Sequence, residues 1–210
     1  MRARTPHSLP SEIPSRVLLE PLRQQEARIR NCRLCPLAEG RSQVVFGSGT
    51  HNSGLVIIGE APGAEEDRGG LPFVGRSGQL LMTLLRSIGL SRSDVYITNM
   101  VKCRPPSNRK PRGDELKACA PHLDAQLEML RPRVIIAAGS VASQHLLGTR
   151  QAITQLRGRP KRRGASIVVP TFHPAFLLRN PDQSQIRMVR RDLRLAKREW
   201  LRPSPQHSRG

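Results

Sequence analysis

Residues 55–63 read Leu55-Val-Ile-Ile-Gly-Glu-Ala-Pro-Gly63, and the fold class can be inferred outward from them. The first four residues form a short, continuous apolar run, which is typical of a strand buried on both faces. The Gly-Glu-Ala-Pro-Gly that follows must turn sharply, which places Glu60 at the rim of a sheet. The turn lacks the G-x-G-x-x-G pattern, so it does not predict a dinucleotide-binding loop.

Three further apolar runs predict strands at 95–98, 134–138 and 167–171. Helical patterns lie between and after them. One helix would be capped by Ser77 and end at Gly89, and another would span 114–131 with a break or restart at Pro121. A third begins at Ser140, and the last covers about 182–200. This alternation predicts an α/β fold, in which helices cover both faces of a mainly parallel sheet.

The two ends of the chain have a different character. Residues 1–24 contain Pro, Arg and Ser without a sustained apolar period, so we expect a flexible N-terminal extension, followed by one domain over 25–201. Residues 202–210 predict a flexible basic tail. The chain has no apolar run long enough to span a bilayer and no signal-peptide pattern at its start, so we expect a cytoplasmic protein.

The charge of the chain points to a polyanionic partner. Lys and Arg number 35 against 16 Asp and Glu, a formal net charge of +19. Such a surface attracts nucleic acid, anionic membranes or ribosome-like assemblies, whatever the fold beneath it.

Chemically capable residues follow three of the four predicted strands. Glu60 follows the first, Asn99 the second and His173 the fourth. In parallel sheets, ligands bind at the carboxyl ends of the strands, so these side chains should meet there. Taken singly, each residue also fits a role without chemistry. Glu60 could lie in a solvated acidic turn, Asn99 could be a turn or cap residue, and His173 could be structural.

Two further segments suggest contacts with DNA. After His173, the run Phe176-Leu-Leu-Arg179 is unusual as a surface loop but suits a wedge pushed into a base stack. The basic run Arg157–Arg163 is either a solvated face or a loop that grips phosphates.

The four cysteines are Cys32, Cys35, Cys103 and Cys119. In a reducing compartment, a C-x-x-C pair with two more cysteines predicts a ligand set rather than disulfides. Zinc and a [4Fe–4S] cluster both suit four thiolates, and spacing alone favours zinc.

Four of these motifs occur together in one order: Gly-Glu-Ala-Pro-Gly-x-x-Glu-Asp, Gly-Leu-Pro-Phe-Val-Gly, Thr-Asn-x-Val-Lys-Cys-Arg-Pro-Pro and His-Pro-Ala-x-Leu-Leu-Arg-Asn-Pro. Over about residues 28–198 the chain thereby resembles family 4 of the uracil-DNA glycosylases, the iron–sulfur branch found in bacteria and archaea. The resemblance implies a three-layer α/β/α sandwich on a four-stranded parallel sheet, in a domain at 25–201. It also implies a [4Fe–4S] cluster on the four cysteines, in place of zinc.

The resemblance assigns roles by position. Glu60 and His173 would be catalytic, Phe73 would stack on the flipped base, and Asn99 would read its polar edge. Glu66 would screen out the thymine methyl, and Leu177 would be the wedge. The remaining expected contacts are with substrate, at Ala61 and Gly63, and with DNA, at Lys161, Arg162, Arg163 and Arg179.

The implied activity is hydrolysis of the N-glycosidic bond of deoxyuridine in single- and double-stranded DNA, by base flipping that leaves an abasic site. We expect a monomer with no membrane partner. Two departures matter: Ala61 stands where the best-known uracil glycosylases carry a catalytic Asp, and Lys161-Arg-Arg-Gly-Ala165 lacks the His with which a related branch bonds covalently to DNA. The alternatives are a non-catalytic iron–sulfur scaffold on DNA, a redox sensor, or a glycosylase for another deaminated base.

Overall fold

A computed structural model describes residues 15–179 and 181–203, with side chains from Glu20 onward. Its strands are β1 (Ser48–Gly49), β2 (Leu55–Gly59), β3 (Tyr96–Asn99), β4 (Val134–Ala138), β5 (Lys161–Arg163) and β6 (Ser166–Thr171). They form one six-stranded sheet in the order β1-β3-β2-β4-β6-β5. The inner four strands are parallel, as predicted, and β1 and β5 pair antiparallel at the two edges.

The helices are α1 (Ser15–Ile29), α2 (Leu37–Gly40), α3 (Ala64–Gly69), α4 (Arg76–Arg86), α5 (Gly113–Leu130), α6 (Ser140–Leu147), α7 (Ile153–Leu156), α8 (Pro174–Arg179) and α9 (Gln183–Leu201). Short 3₁₀ helices occupy Arg92–Asp94 and Pro106–Asn108.

Alternate residues of β2 build two separate cores. Leu55 and Ile57 pack in one core with residues of α4, α8 and α9. Val56 and Ile58 pack in the other with residues of α1, α5 and α6. Because successive side chains of a strand point to opposite faces, the sheet is covered on both sides. The predicted α/β/α sandwich is therefore confirmed.

Two predictions about the helices differ from the structure. Helix α4 begins at Arg76 with Gly75 as its cap, so the predicted cap at Ser77 is wrong. Helix α5 continues through Pro121, because its buried Leu123, Leu127 and Leu130 anchor it on the sheet and outweigh one lost backbone hydrogen bond.

The predicted domain boundary at residue 25 falls inside α1. This helix begins at Ser15, and its Leu22 is buried in the second core. Residues 1–14 and 204–210 lie outside the described residues, and with them most of the predicted extension and tail. None of the helices in the described segments is long and apolar enough to cross a membrane.

Candidate active site and cysteine pocket

A pocket of about 840 Å³ lies at the carboxyl edge of the sheet, where the segments after β2, β3, β4 and β6 meet. It gathers most of the predicted site residues in one place. Those that line it are Glu60, Ala61, Gly63, Glu66, Phe73, Asn99, His173 and Arg179. The pocket is also lined by four polar residues to which no sequence motif pointed: Arg76, Asn108, Arg109 and Lys110.

Asn99 presents a buried acceptor in this pocket. Its side chain is 1% exposed, and Oδ1 has no hydrogen-bond partner within the described chain. A Cβ atom placed on Gly59 would lie 2.4 Å from Asn99 Oδ1 and 2.6 Å from Phe73 Cζ. The amide and the aromatic ring therefore converge over Gly59, and only glycine leaves room for both.

Phe73 is held in a backbone conformation that side chains rarely adopt. Its φ is +54°, in the left-handed region that costs a non-glycine residue roughly 1–2 kcal/mol. A Cβ atom on Gly78 would lie 1.9 Å from the Phe73 carbonyl oxygen, so α4 can pack against this turn only with glycine there. The Phe73 ring lies 5.7 Å from the His173 ring, tilted by 33°. Strain of this kind is typical of functional sites.

His173 follows β6, and its two ring nitrogens have different roles. Its Nδ1 accepts a hydrogen bond from the backbone N–H of Ala175 at 3.1 Å. Burial lowers the pKa of His173 to about 4, and Arg179 lowers it further while Glu66 opposes the shift. The imidazole is therefore neutral at physiological pH and carries its proton on Nε2.

The two carboxylates of the first loop differ in their surroundings. Glu60 is half-buried, and burial raises its pKa against the opposing effect of Lys110 and Arg179. Glu66 instead accepts hydrogen bonds from three backbone N–H groups at 2.8–3.0 Å, those of Gly63, Val74 and Gly75. Its carboxylate thus holds the loop on which Phe73 lies.

Leu177, the predicted DNA wedge, does not lie on the surface of this structure. It is 2% exposed and belongs to the first core. The predicted loop is helix α8, whose turn directs Leu177 toward the core and leaves Leu178 36% exposed.

The predicted phosphate-gripping residues lie away from the pocket. Lys161, Arg162 and Arg163 form the edge strand β5, and none of them lines the pocket. Arg163 pairs with Asp124 at 3.3 Å. Arg157, at the start of the same basic run, makes a buried ion pair with Asp192 at 2.6 Å, so its role is structural.

The four cysteines line a second pocket, between α1, α5 and the segment after β3. None of the four forms a disulfide, and Cys103 and Cys119 are buried. Polar groups surround the sulfur atoms: Arg41 Nη1 donates to Cys103 Sγ at 3.2 Å, and His122 Nε2 lies 3.4 Å from Cys32 Sγ. Among the described residues, no three His, Cys, Asp or Glu side chains converge closely enough to hold a single metal ion.

The comparison with known proteins agrees with this architecture. The family model described as the uracil DNA glycosylase superfamily matches residues 46–196. The chain belongs to this superfamily.

Individual relatives narrow the assignment. The Type-4 uracil-DNA glycosylase of Thermotoga maritima is 47% identical over 172 residues, covering 81% of this chain and 90% of that protein. That of Pyrobaculum aerophilum is 45% identical over 161 residues, covering 73% and 82%. A Type-5 uracil-DNA glycosylase of Thermus thermophilus is 34% identical over 174 residues, covering 66% and 77%. Within the superfamily, the chain groups with the type-4 proteins.

Proposed function

We propose that this protein is a monofunctional uracil-DNA glycosylase, which hydrolyses the N-glycosidic bond of deoxyuridine and leaves an abasic site in DNA. The observation that carries the proposal is the unpaired Oδ1 of Asn99, which is buried and converges with the Phe73 ring over Gly59. Uracil offers an N3–H donor on its polar edge and a flat ring for stacking. Cytosine offers an acceptor at the same position and would leave Oδ1 unpaired, which disfavours its binding.

His173 would stabilise the leaving base. Bond cleavage puts negative charge on a uracil oxygen, and the Nε2–H of the neutral His173 imidazole can donate to it from the wall of this pocket. A fixed donor aimed at developing charge contributes about 3–4 kcal/mol in comparable sites. Because the leaving group is stabilised in this way, a second carboxylic acid is not needed to protonate it.

Glu60 would act on the sugar side. As the bond breaks, the sugar gains cationic character, and the Glu60 carboxylate can stabilise it or place the attacking water. The position next to Glu60 is Ala61, so this chain has no second acid there to activate water. Glu60 would therefore both stabilise the cationic sugar and place the attacking water, without help from an acid at position 61.

DNA would approach across the rim of the pocket. Arg179 and Lys110 line it and supply cations for phosphates. A base inside a duplex must be flipped out before it can reach Asn99. Leu178, exposed on α8 beside the pocket, replaces Leu177 in our proposal as the apolar residue that enters the base stack. We retain a monomer acting in the cytoplasm as part of the proposal.

The four thiols would hold a [4Fe–4S] cluster. The donor set fits: four cysteines surround one pocket, the Arg41 guanidinium donates to Cys103 Sγ and can stabilise its thiolate, and His122 Nε2 lies within hydrogen-bond distance of Cys32 Sγ. A [4Fe–4S] core takes one thiolate on each of its four irons, so the four cysteines that line this pocket would complete its ligand set. The cluster supplies a link between Cys32, Cys35, Cys103 and Cys119, and no step of base excision passes through it.

The direct test is base release from a single-stranded oligonucleotide containing one uracil, followed by alkaline strand cleavage. A thymine-containing oligonucleotide and a duplex substrate run in parallel. Cleavage at uracil only, and only after alkali, is the expected result. A protein that binds DNA and retains iron, but releases no base from uracil or other deaminated substrates, would instead be a binding protein.

A further inference from the structure

Five residues, 99–103, connect the active-site pocket to the cysteine pocket. At one end the Asn99 side chain lies in the active site, and at the other Cys103 faces the three other cysteines. We call residues 99–103 the connecting segment. Its backbone is hydrogen-bonded to the segment that carries Glu60. Met100 N–H donates to Gly59 O at 3.0 Å, and Val101 N–H donates to Glu60 O at 3.2 Å. A shift of Cys103 would therefore reach both Asn99 and Glu60.

Lys102 is the unusual residue of the connecting segment. It is 1% exposed, and its ammonium group donates to Thr98 Oγ1 at 2.7 Å and to the Asn99 backbone oxygen at 2.8 Å. Lysine is almost never fully buried without a charged partner. None of the ion pairs between described residues involves Lys102.

The counter-charge available to Lys102 is in the cysteine pocket, which Lys102 also lines. Cys103 is the next residue in the chain, and Cys119 lines the same pocket. Thiolates that ligate iron are negatively charged, so a loaded pocket would place negative charge beside this ammonium group. Both of its protein acceptors, a hydroxyl and a carbonyl oxygen, are neutral. Burial of a cation whose partners are all neutral is strongly unfavourable, so a negatively charged set of thiolates nearby is the condition that suits Lys102.

We propose that Lys102 is a positioning residue that couples the loaded cysteine pocket to base recognition. Its ammonium group, stabilised by the thiolates, holds the Asn99 carbonyl and thereby fixes the Asn99 side chain against Phe73. This inference rests on the proposed uracil excision. It gives the cysteine pocket a role in the geometry of the active site, in addition to joining distant parts of the chain.

The test compares Lys102→Met with wild type and with Lys117→Met. Methionine has a similar length but no charge or N–H donor. Lys117 is exposed on α5, two residues from Cys119, so its variant is the matched control for lost charge near the cluster. For each protein we would measure iron content, the visible spectrum and reduction potential of the cluster, and kcat and KM on a single-stranded uracil oligonucleotide.

For Lys102→Met we expect full iron content, a more negative reduction potential and a kcat lowered about tenfold, as for one lost hydrogen bond. KM should change little, because phosphate contacts dominate DNA affinity. Combined with Asn99→Ala, the Lys102 change should slow excision no further, because both act through one amide. Lys117→Met should match wild type in all of these measurements.

Wild-type kcat and potential in an iron-loaded Lys102→Met protein would overturn the inference, as would additive effects with Asn99→Ala. If Lys102→Met does not retain iron, Lys102→Gln replaces it, because its neutral amide can still donate to Asn99. A lowered potential with a smaller loss of kcat then supports the coupling, and wild-type values refute it. Absence of uracil release from the wild-type protein would instead refute the proposed function.

Discussion

The backbone N–H of Ala175 donates a hydrogen bond to Nδ1 of His173, and this contact fixes the tautomer of the imidazole. A backbone nitrogen can only donate, so Nδ1 is unprotonated and Nε2 carries the proton. We therefore predict that His173→Ala lowers the single-turnover rate of uracil release by about 10²–10³-fold. DNA affinity, measured by fluorescence anisotropy, should be unchanged. Near-wild-type release would remove His173 from the mechanism.

The pH dependence of excision should report Glu60. Burial raises the pKa of Glu60 above 4.5, whereas the pKa of His173 is lowered to about 4. As the pH falls, Glu60 is therefore protonated first, and the rate should decline through its raised pKa. The Glu60→Gln protein should release uracil slowly, and its rate should not show this decline at acid pH. Glu128→Gln, a change on the exposed face of α5, should retain the decline. If the rate of Glu60→Gln still declined at the same pH, the decline would belong to another titrating group.

Gly59→Ala should disable the pocket, because its methyl group would overlap Asn99 Oδ1 and Phe73 Cζ. We expect uracil release to fall at least about 10²-fold and the free energy of unfolding to drop by about 1–3 kcal/mol, as for an overpacked core. Gly113→Ala is the matched control, because nothing lies within 4 Å of its Cβ position. Chemical denaturation and release assays on both variants check this. A Gly59→Ala enzyme with normal kinetics would contradict the convergence of these two side chains.

Asn99→Ala should separate activity from stability. An unpaired buried acceptor is destabilising, so its removal should leave the melting temperature unchanged or raise it, while uracil release is largely lost. The control is Gln126→Ala. The Gln126 amide is also buried, but it donates to Phe46 O at 3.0 Å, so its loss should lower the melting temperature. A destabilised Asn99→Ala protein would mean that the amide has a structural role instead.

The inner sheet could be predicted because each of its strands is a continuous apolar run. The edge strands could not: Ser48–Gly49 has two residues, and Lys161–Arg163 is wholly cationic, so neither carries a hydrophobic pattern. Strand β5 forms because its backbone pairs with β6, which depends on tertiary position rather than on its side chains.

The location of the site could be predicted for a similar reason. Glu60, Asn99 and His173 each follow a parallel strand, and the topology brings such positions together. The importance of Gly59 and Gly78 could not be predicted, because it depends on how closely Asn99 and Phe73 approach their backbones. Lys102 could not be singled out either. In the sequence it is one of 35 cationic residues, and only the structure shows that it is buried.

The neighbouring leucines of α8 should respond in opposite ways to truncation. Leu177 fills the first core, so Leu177→Ala should lower the free energy of unfolding by about 2–5 kcal/mol. Leu178→Ala should change stability by no more than about 0.5 kcal/mol, as expected at an exposed position. If Leu178 enters the base stack, its loss should slow release from duplex DNA by about tenfold, a fraction of the few kcal/mol that unstacking costs. Release from single strands, where there is no stack to open, should be little affected. A Leu178→Ala protein that releases uracil from duplex DNA as fast as wild type would mean that Leu178 does not act as a wedge.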